Sequence, residues 1–486
     1  MKKMKKVISL ILVLALSMSL LAGCKGKEDT KSDAEATKAP AETTEAEATE
    51  APALPDMTTE EITLSYASWE NTFLNEYLAQ KFMEKYPNIK VELVPLALDG
   101  YNDSLLNLSS SGELPDAFWV LGECDFAIQN GLLGDMTEYW ENDPEHENVL
   151  TTINDGKFGY YGTDKKWATP VKYMPDAVYA NMTVFEDLNV DMPSTEWTWD
   201  QMIDSVKQMT VPEKGYYGYN DYRTIVTWYP IASSDTVWGE FGWDGTKFDM
   251  SSWAVGLNQQ AELMNGKYHA PLFDTDEAEA AFGDRTMWAA YSGKVAYQFD
   301  AWWTYNNLFS TQEYLDLGLK YVPYMIPRAE GTSSKHMVGT MDFGGISSNT
   351  EHPREAYELL KFMTWGQEGW ANRIEGYKTL TDDAGKAISE DCLPLTLDQG
   401  TWDAVAQFYP TGDDERAPYF EAFFANCKEP IPYGGTIIPG FGTFIAEAYA
   451  GVEDSVINGG VNAQDIQADL TEKLNAAHEE AMTNFQ

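Results

Sequence analysis

Residues 61–96 read EITLSYASWENTFLNEYLAQKFMEKYPNIKVELVPL, and this stretch decides the fold. Ile62, Leu64 and Tyr66 alternate with other residues, the period of a strand with one buried face. Leu74, Leu78 and Phe82 then fall four apart, with Phe73 and Tyr77 beside them, which is the period of an amphipathic helix. Pro87 ends that helix. Ile89, Val91 and Leu93 alternate again. Strand, helix and strand in this order make a βαβ unit. "YNDSLLNLSSSG" (101–112) reads as another short helix and "PDAFWVLG" (115–122) as a third strand. The body therefore opens as α/β with a parallel sheet.

Working outward, "NDGKFGYYG…KKWATPVKY" (154–173) reads as a hairpin-like piece with Asp155-Gly156 as its turn. "SGKVAYQFDAWW" (292–303) reads as a turn, a strand from Lys294 to Phe299, and a loop bearing Trp302 and Trp303. "GTMDFGGISS" (339–348) reads as a strand and a glycine turn. In "HPREAYELLKFMTW" (352–365), Ala356, Leu359, Leu360 and Met363 follow helical spacing, and Pro353 suits the first turn. Near the end Ile466, Leu470 and Leu474 form one stripe, with Asn462 as the helix cap. Trp197 and Trp199 fit packing at a helix start. No internal repeat is visible.

The chain has 486 residues, 44% of them hydrophobic and 13% aromatic. From Met57 onward this is enough for two domains. The formal charge is −44, which excludes nucleic-acid binding through phosphates. It equally disfavours lying on an anionic membrane without a further anchor.

The amino end differs from the body. Lys2, Lys3, Lys5 and Lys6 precede an uncharged run from Val7 to Leu21. That run is the size of a secretory apolar segment and short of the roughly 20 residues a membrane helix needs. Leu21-Ala22-Gly23-Cys24 resembles the lipobox of bacterial lipoproteins, in which the cysteine is acylated after cleavage. Residues 1–23 are then a lipoprotein signal peptide and Cys24 the lipidation site. Residues 24–56, rich in Ala, Glu, Thr and Pro, read as a lipid-anchored disordered tether.

Catalytic patterns are missing. The sequence holds no P-loop, no G-x-S-x-G and no H-E-x-x-H. His146, His269, His336, His352 and His478 are scattered. Cys124, Cys392 and Cys427 fit no zinc spacing, and three thiols allow at most one bridge. Nothing calls for a cofactor, a metal or an enzymatic reaction, although a bound calcium stays open. What stands out is aromatics where the chain turns: Trp69, Trp119, Tyr173, Trp228, Trp238, Trp243, Trp302 and Trp303. Flat aromatic faces suit the C–H face of a sugar ring, and nearby Glu70, Asp116, Asp300 and Asn306 suit its hydroxyls.

Four stretches resemble family 1 extracellular solute-binding proteins, the receptors of carbohydrate ABC importers. They are "KFMEKYPNIKVELVPL" with "SGELPDAFWV", then "VYANMTVFEDLNVDMPSTEWTWDQM", then "SGKVAYQFDAWW", then "GGISSNTEHPREAYELLKFMTW". They run in family order from Glu61 to Trp365.

The resemblance implies a two-lobed type II periplasmic-binding fold, with hinge strands crossing near Ala168–Val171 and Thr340–Asp342. Lobe 1 would be 57–169 plus 342–395, and lobe 2 would be 170–341 plus 396–486. It also implies a monomer on the outer face of the cytoplasmic membrane. Such a receptor captures a carbohydrate, best an oligosaccharide, in the cleft and delivers it to ABC permease subunits.

Residue by residue, the resemblance makes Trp303 the stacking tryptophan, with Trp302 as the alternative. Trp69 and Glu70 fall in the loop after the first strand. Asp116 and Trp119 fall at the third strand's end, and Tyr173 just past the first crossing. Trp228 and Asp300 belong with the lobe 2 aromatics. Phe343, Gly344 and Gly345 would form cleft wall, and Tyr433 and Phe441 the C-terminal aromatics. Gln298-Phe299-Asp300-Ala301 lacks the family's glycine before the tryptophan, and "EPIPYGGTIIPGFGTF" matches its aromatics poorly. The rivals are a peptide or polyamine ligand in the same fold, and a surface glycoside hydrolase or adhesin.

Overall fold

The computed structural model describes residues 53–484 apart from 71, 123, 222–223, 384 and 389–391. The expected signal peptide, the expected lipidation site Cys24 and the expected tether up to residue 52 lie outside the described residues.

The opening unit forms as its periodicity demands. Strand β1 (Ile62–Ala67) leads into helix α1 (Thr72–Lys85) and returns as β2 (Ile89–Leu93). The two strands are parallel, with Ile62 beside Ile89 and Tyr66 beside Leu93. Leu74, Leu78 and Phe82 are the fully buried stripe of α1. Each such side chain contributes about 1.5–3 kcal/mol by leaving water. Helix α2 (Tyr101–Ser111) and strand β3 (Ala117–Val120) follow, and β3 is parallel to β1.

The hairpin expected over 154–173 does not form: its end, from Thr169, is strand, but its first half does not extend. Thr151–Asp155 is a short helix, and Lys157, Gly159, Tyr161 and Gly162 then take positive φ. Left-handed residues at this density coil the chain and cannot extend it as a strand. Lys166, just beyond, is fully buried. Its ammonium donates to the Phe158 carbonyl at 2.6 Å and sits 3.9 Å from the Trp140 ring and 4.9 Å from the Tyr160 ring.

Strand β4 (Thr169–Asn181) is 13 residues long and buried throughout. Strands β5 (Tyr217–Asn220), β6 (Val295–Ala301), β7 (Tyr321–Tyr324), β8 (Met337–Ile346) and β9 (Pro430–Pro432) complete the sheet. Its order is β2-β1-β3-β8-β4-β6-β5, with β7 on β4 and β9 on β8. Two strands hold the two ends together. β4 pairs with β8 through Thr169–Pro175 and with β6 through Asp176–Ala180. β8 pairs with β9 at Met337–Gly339, with β4 at Gly339–Gly344 and with β3 at Phe343–Ile346.

The glycine turn expected at 343–345 is thus strand interior. A Cβ on Gly344 would stand 2.8 Å from the Phe118 carbonyl oxygen, and one on Gly345 would stand 2.7 Å from that of Trp167. The glycines are there for close packing of neighbouring backbones, not for a bend.

Helix α3 (Trp199–Met209) starts at a capping box, Thr198 with Gln201, and buries Trp199 as expected. Helices α4 (Thr224–Ala232) and α5 (Ser251–Asn265) pack together. Helix α6 (Pro353–Met363) covers β3, β8 and α1, and α7 (Gln367–Thr379) covers α1. Helix α8 (Ala463–Thr483), capped by Asn462, packs its Leu470 and Leu474 into a separate apolar cluster with Phe241, Trp253 and Phe441. Among the described residues, no helix is long and apolar enough to cross a membrane.

Candidate functional site

Strand alternation places Lys172, Met174 and Asp176 on one face of β4. Register adds Asp342 beside Lys172 and Thr340 beside Met174. Thr340 and Asp342 are the only β8 residues that are not fully buried. This face of the two shared strands is therefore where the sheet meets an open space. From Lys172 to Asp176 it spans about 13 Å, four residues at about 3.3 Å each. Tyr173 points the other way, and its hydroxyl donates to the Cys427 carbonyl at 3.0 Å.

At the Lys172 end stands the loop after β1. Glu70 accepts from Arg373 Nη1 at 3.0 Å and lies 3.8 Å from Lys172 Nζ. All three side chains are nearly inaccessible to water. Arg373 also donates to the Met363 carbonyl at 3.0 Å. Two cations compensate the buried Glu70 charge, so its role is to fix Lys172. Trp69, next to it, is half-buried and meets Tyr101 and Trp119 edge-on, each at 5.0 Å between ring centroids. Trp119 itself is fully buried beneath it.

At the other end Asp176 accepts from Trp228 Nε1 at 2.6 Å and from the Tyr433 hydroxyl. The next backbone amide, Gly434 N–H, donates to Glu240 at 3.0 Å. Residues 433–434 are thus tied to two buried carboxylates. Glu240 is held by a strained turn, since the bulky Phe241 takes φ of +59°. Burial pushes the Asp176 carboxyl up to about 7 and that of Glu240 to about 8, each opposed in part by its hydrogen bonds.

Asp300 pairs in register with Ala177, so its side chain leaves the sheet on the face opposite Asp176. Its carboxylate accepts from the Ala301 amide at 2.8 Å, and burial pushes it up to about 6. Trp303, three residues on, is 37% exposed.

The remaining expected residues are occupied elsewhere. Asp116 lies at the amino end of β3, where it accepts from Ser65 and Thr350 and staples strand to loop. Trp302 is buried, stacked on Phe423 at 5.0 Å and donating to Tyr409. Phe343, Gly344 and Gly345 are strand interior. Phe441 packs edge-on against Phe241 at 5.3 Å within the apolar cluster of α8. The structure thus brings Glu70, with Trp69 beside it, to one end of the shared face. Trp228 and Tyr433 meet at the other end, and Trp303 follows the paired end of β6. Asp116, Tyr173, Trp302, Phe343 and Phe441 stay out of the group.

Lys172, Asp176, Glu240, Thr340 and Asp342 escaped the sequence reading. The signal for three of them was legible: a charge inside an otherwise apolar strand, in "VKYMPD" and "TMDFG". Glu240 had no local signal.

A separate cavity of about 570 Å³ opens between residues 155–164 and a wall of Trp238, Trp243, Ile438 and His478. Of the aromatics that the sequence singles out, Trp238 and Trp243 line it, but none of the residues that the family resemblance assigns does. The shared-strand face is the stronger candidate, because it joins the carboxyl ends of β1 and β6, where open α/β sheets bind ligands. Among the described residues, no group of three His, Cys, Asp or Glu side chains could hold a metal.

Over residues 67–364, more than half its length, the chain matches the family described as bacterial extracellular solute-binding protein. Among solved structures it is similar to the ABC substrate-binding protein Lmo0181 from Listeria monocytogenes, in complex with cycloalternan. That match has 18% identity and a TM-score of 0.61, covering 86% of this chain and 99% of the other. It is also similar to the cyclic alpha-maltosyl-1,6-maltose binding protein from Arthrobacter globiformis, at 13% identity and TM-score 0.64, covering 87% and 100%. A third is the sugar-binding protein MalE from Xanthomonas citri, at 12% identity and TM-score 0.62, covering 87% and 99%. At such identities the likeness establishes the fold, a mixed α/β two-lobed binding-protein architecture. No curated protein matches the chain.

Proposed function

Because the chain belongs to the bacterial extracellular solute-binding proteins, we propose that it captures a carbohydrate, best an oligosaccharide, and delivers it to an ABC permease. It binds without turnover. Lobe 1 (57–169 plus 342–395) and lobe 2 (170–341 plus 396–486) close on the ligand as β4 and β8 flex between them. Cys24, once acylated, holds the monomer on the outer face of the cytoplasmic membrane, and residues 24–56 serve as its tether.

One observation carries the reading. Lys172, Met174, Asp176, Thr340 and Asp342 form a polar strip on the strands common to both ends of the sheet. Trp69 adjoins one end of the strip through Glu70, and Trp303 follows the strand paired at the other. Polar groups in a row with aromatic surfaces beside them are what a chain of sugar rings needs. About 13 Å of strip accommodates more than one ring. Of the expected contacts, Trp69, Trp303, Tyr433 and Trp228 stay in this reading, Asp300 leaves it because its side chain lies on the other face of the sheet, and Lys172, Asp176 and Thr340 join them.

A thermal-shift screen of the protein against mono- and oligosaccharides tests it, since a ligand that binds only the native state raises the midpoint. A rise with an oligosaccharide and none with peptides is expected. Peptides raising the midpoint while every sugar leaves it unchanged would overturn the reading.

A further inference from the structure

Among the described residues, four buried carboxylates lie within 4 Å of a basic side chain. Glu70 has Arg373, Asp143 has Lys361, Asp221 has His269 and Glu358 has Arg354. Asp300 and Glu355 are buried with no such partner, and so are Asp176 and Glu240, which both engage residues 433–434. These last two are only 2% and 6% exposed, yet no Lys, Arg or His among the described residues pairs with either. Asp176 uses one oxygen, Oδ2, for both Trp228 and Tyr433. Glu240 uses Oε1 for the Gly434 amide. Among the described residues, Asp176 Oδ1 and Glu240 Oε2 have no hydrogen-bond donor.

The two groups also sense each other. Each ionised carboxylate at this end makes ionisation of the next harder, Asp300 acting on Asp176 and Asp176 on Glu240. Burial without a counter-ion holds both carboxyls toward the protonated form, and a bound cation supplies the positive charge that lets them ionise. A divalent metal does not fit, since no three-ligand group exists among the described residues. The surroundings are aromatic: the Trp228 indole and the Tyr433 phenol both lean on Asp176, and the exposed Trp303 lies just past its register partner Ala301. Trp228 and Tyr433 meet Asp176 through their N–H and O–H donors, and a carboxylate beside aromatic side chains suits an ammonium group.

We infer that the carbohydrate held here carries a protonated amine, so that the site takes an amino sugar or an oligosaccharide containing one, with Asp176 and Glu240 as its counter-ions. The inference rests on the carbohydrate reading above and narrows it. A neutral sugar can donate hydroxyl hydrogens to the same two oxygens, but it brings no counter-charge with which the two carboxyls, held toward the protonated form by burial, can ionise. An ammonium satisfies the hydrogen bonds and the charge together. Asp176 and Glu240 are then specificity-determining residues, and the aromatic rings supply the sugar-facing surface.

Calorimetric titration of the protein at neutral pH with the glucosamine tetramer, the N-acetylglucosamine tetramer and maltotetraose tests this. The first two share one skeleton and differ in charge. The glucosamine tetramer is expected to bind at least tenfold more tightly than its N-acetylated counterpart. Asp176→Asn with Glu240→Gln should abolish that preference. If the double variant does not fold, a salt series on the wild type gives the same answer. Binding of the cationic tetramer then weakens from 50 to 500 mM salt while binding of a neutral one does not. Equal or tighter binding of either neutral tetramer overturns the inference and leaves the carbohydrate reading standing. No binding of any of the three overturns both.

Discussion

The Tyr433 hydroxyl donates to the Asp176 carboxylate across 257 positions of sequence. That bond ties the segment after β9 to the middle of the longest strand. It also leaves the carboxylate in a place where burial opposes its ionisation.

Asp176 should therefore give the folded protein a measurable pH signature. Its carboxyl, pushed up to about 7, lies above the unfolded value of about 3.9. Between these limits the folded chain holds more protons than the unfolded one. The stabilisation is present at low pH and lost as pH rises through about 7. Asp176→Asn should flatten the fall in stability between pH 4 and 7 and be more stable than wild type at pH 8. Urea midpoints across that range measure it, and an unchanged slope would show that the carboxyl is not held protonated.

Lys166 should act with the opposite slope. Burial lowers its ammonium to about 7, below the unfolded value of about 10.4. Between the two the unfolded chain holds more protons, so this group's contribution rises with pH across the window. Lys166→Met, which keeps the apolar stem, should gain stability at pH 6 and little at pH 10. The same urea series reports it. A loss at pH 6 would mean that the rings of Trp140 and Tyr160 more than offset the burial.

The adjacent tryptophans should separate cleanly. Trp303 is 37% exposed and Trp302 is fully buried. Trp303→Ala should leave the melting temperature nearly unchanged and weaken sugar binding by about 1 kcal/mol, the scale of one aromatic contact. Trp302→Ala should destabilise the fold by about 3–5 kcal/mol. Affinity within twofold of wild type in Trp303→Ala would exclude it from the site.

Glu70 should behave as a structural anion. Glu70→Gln leaves Arg373 and Lys172 buried without their counter-charge, which costs about 3–5 kcal/mol. A double change to Glu70→Gln with Arg373→Met should recover part of that loss. Chemical denaturation of the three proteins checks it, and strict additivity would mean the pair is not coupled.

The opening βαβ unit was legible because Ile62, Leu64 and Tyr66, then Leu74, Leu78 and Phe82, repeat at periods set by burial alone. Trp303 was singled out through its position after a strand in an ordered set of resembling stretches, and what the structure adds is its partial exposure. Asp116 and Trp302 looked equally suitable, because residue type does not show which hydrogen bonds a side chain already makes. Gly344 and Gly345 read as a turn, since close backbone packing and backbone bending both require the absence of a Cβ. Glu240 was beyond reach: its partner is 194 positions away, and no local pattern encodes a contact at that range. The long-range pairing of β4 with β8 has the same origin.

The insertion of β8 between β3 and β4 also dictates when this protein can fold. Synthesis must pass residue 346 before the gap in the sheet is filled. Until then β3 and β4 each present an open edge, the kind of surface that pairs with other chains. A chain threaded outward from its amino end cannot complete its central sheet until about two-thirds of it has emerged. Late closure leaves the growing chain without its finished sheet until that point. Truncations that stop short of β8 should therefore aggregate rather than yield a smaller working domain.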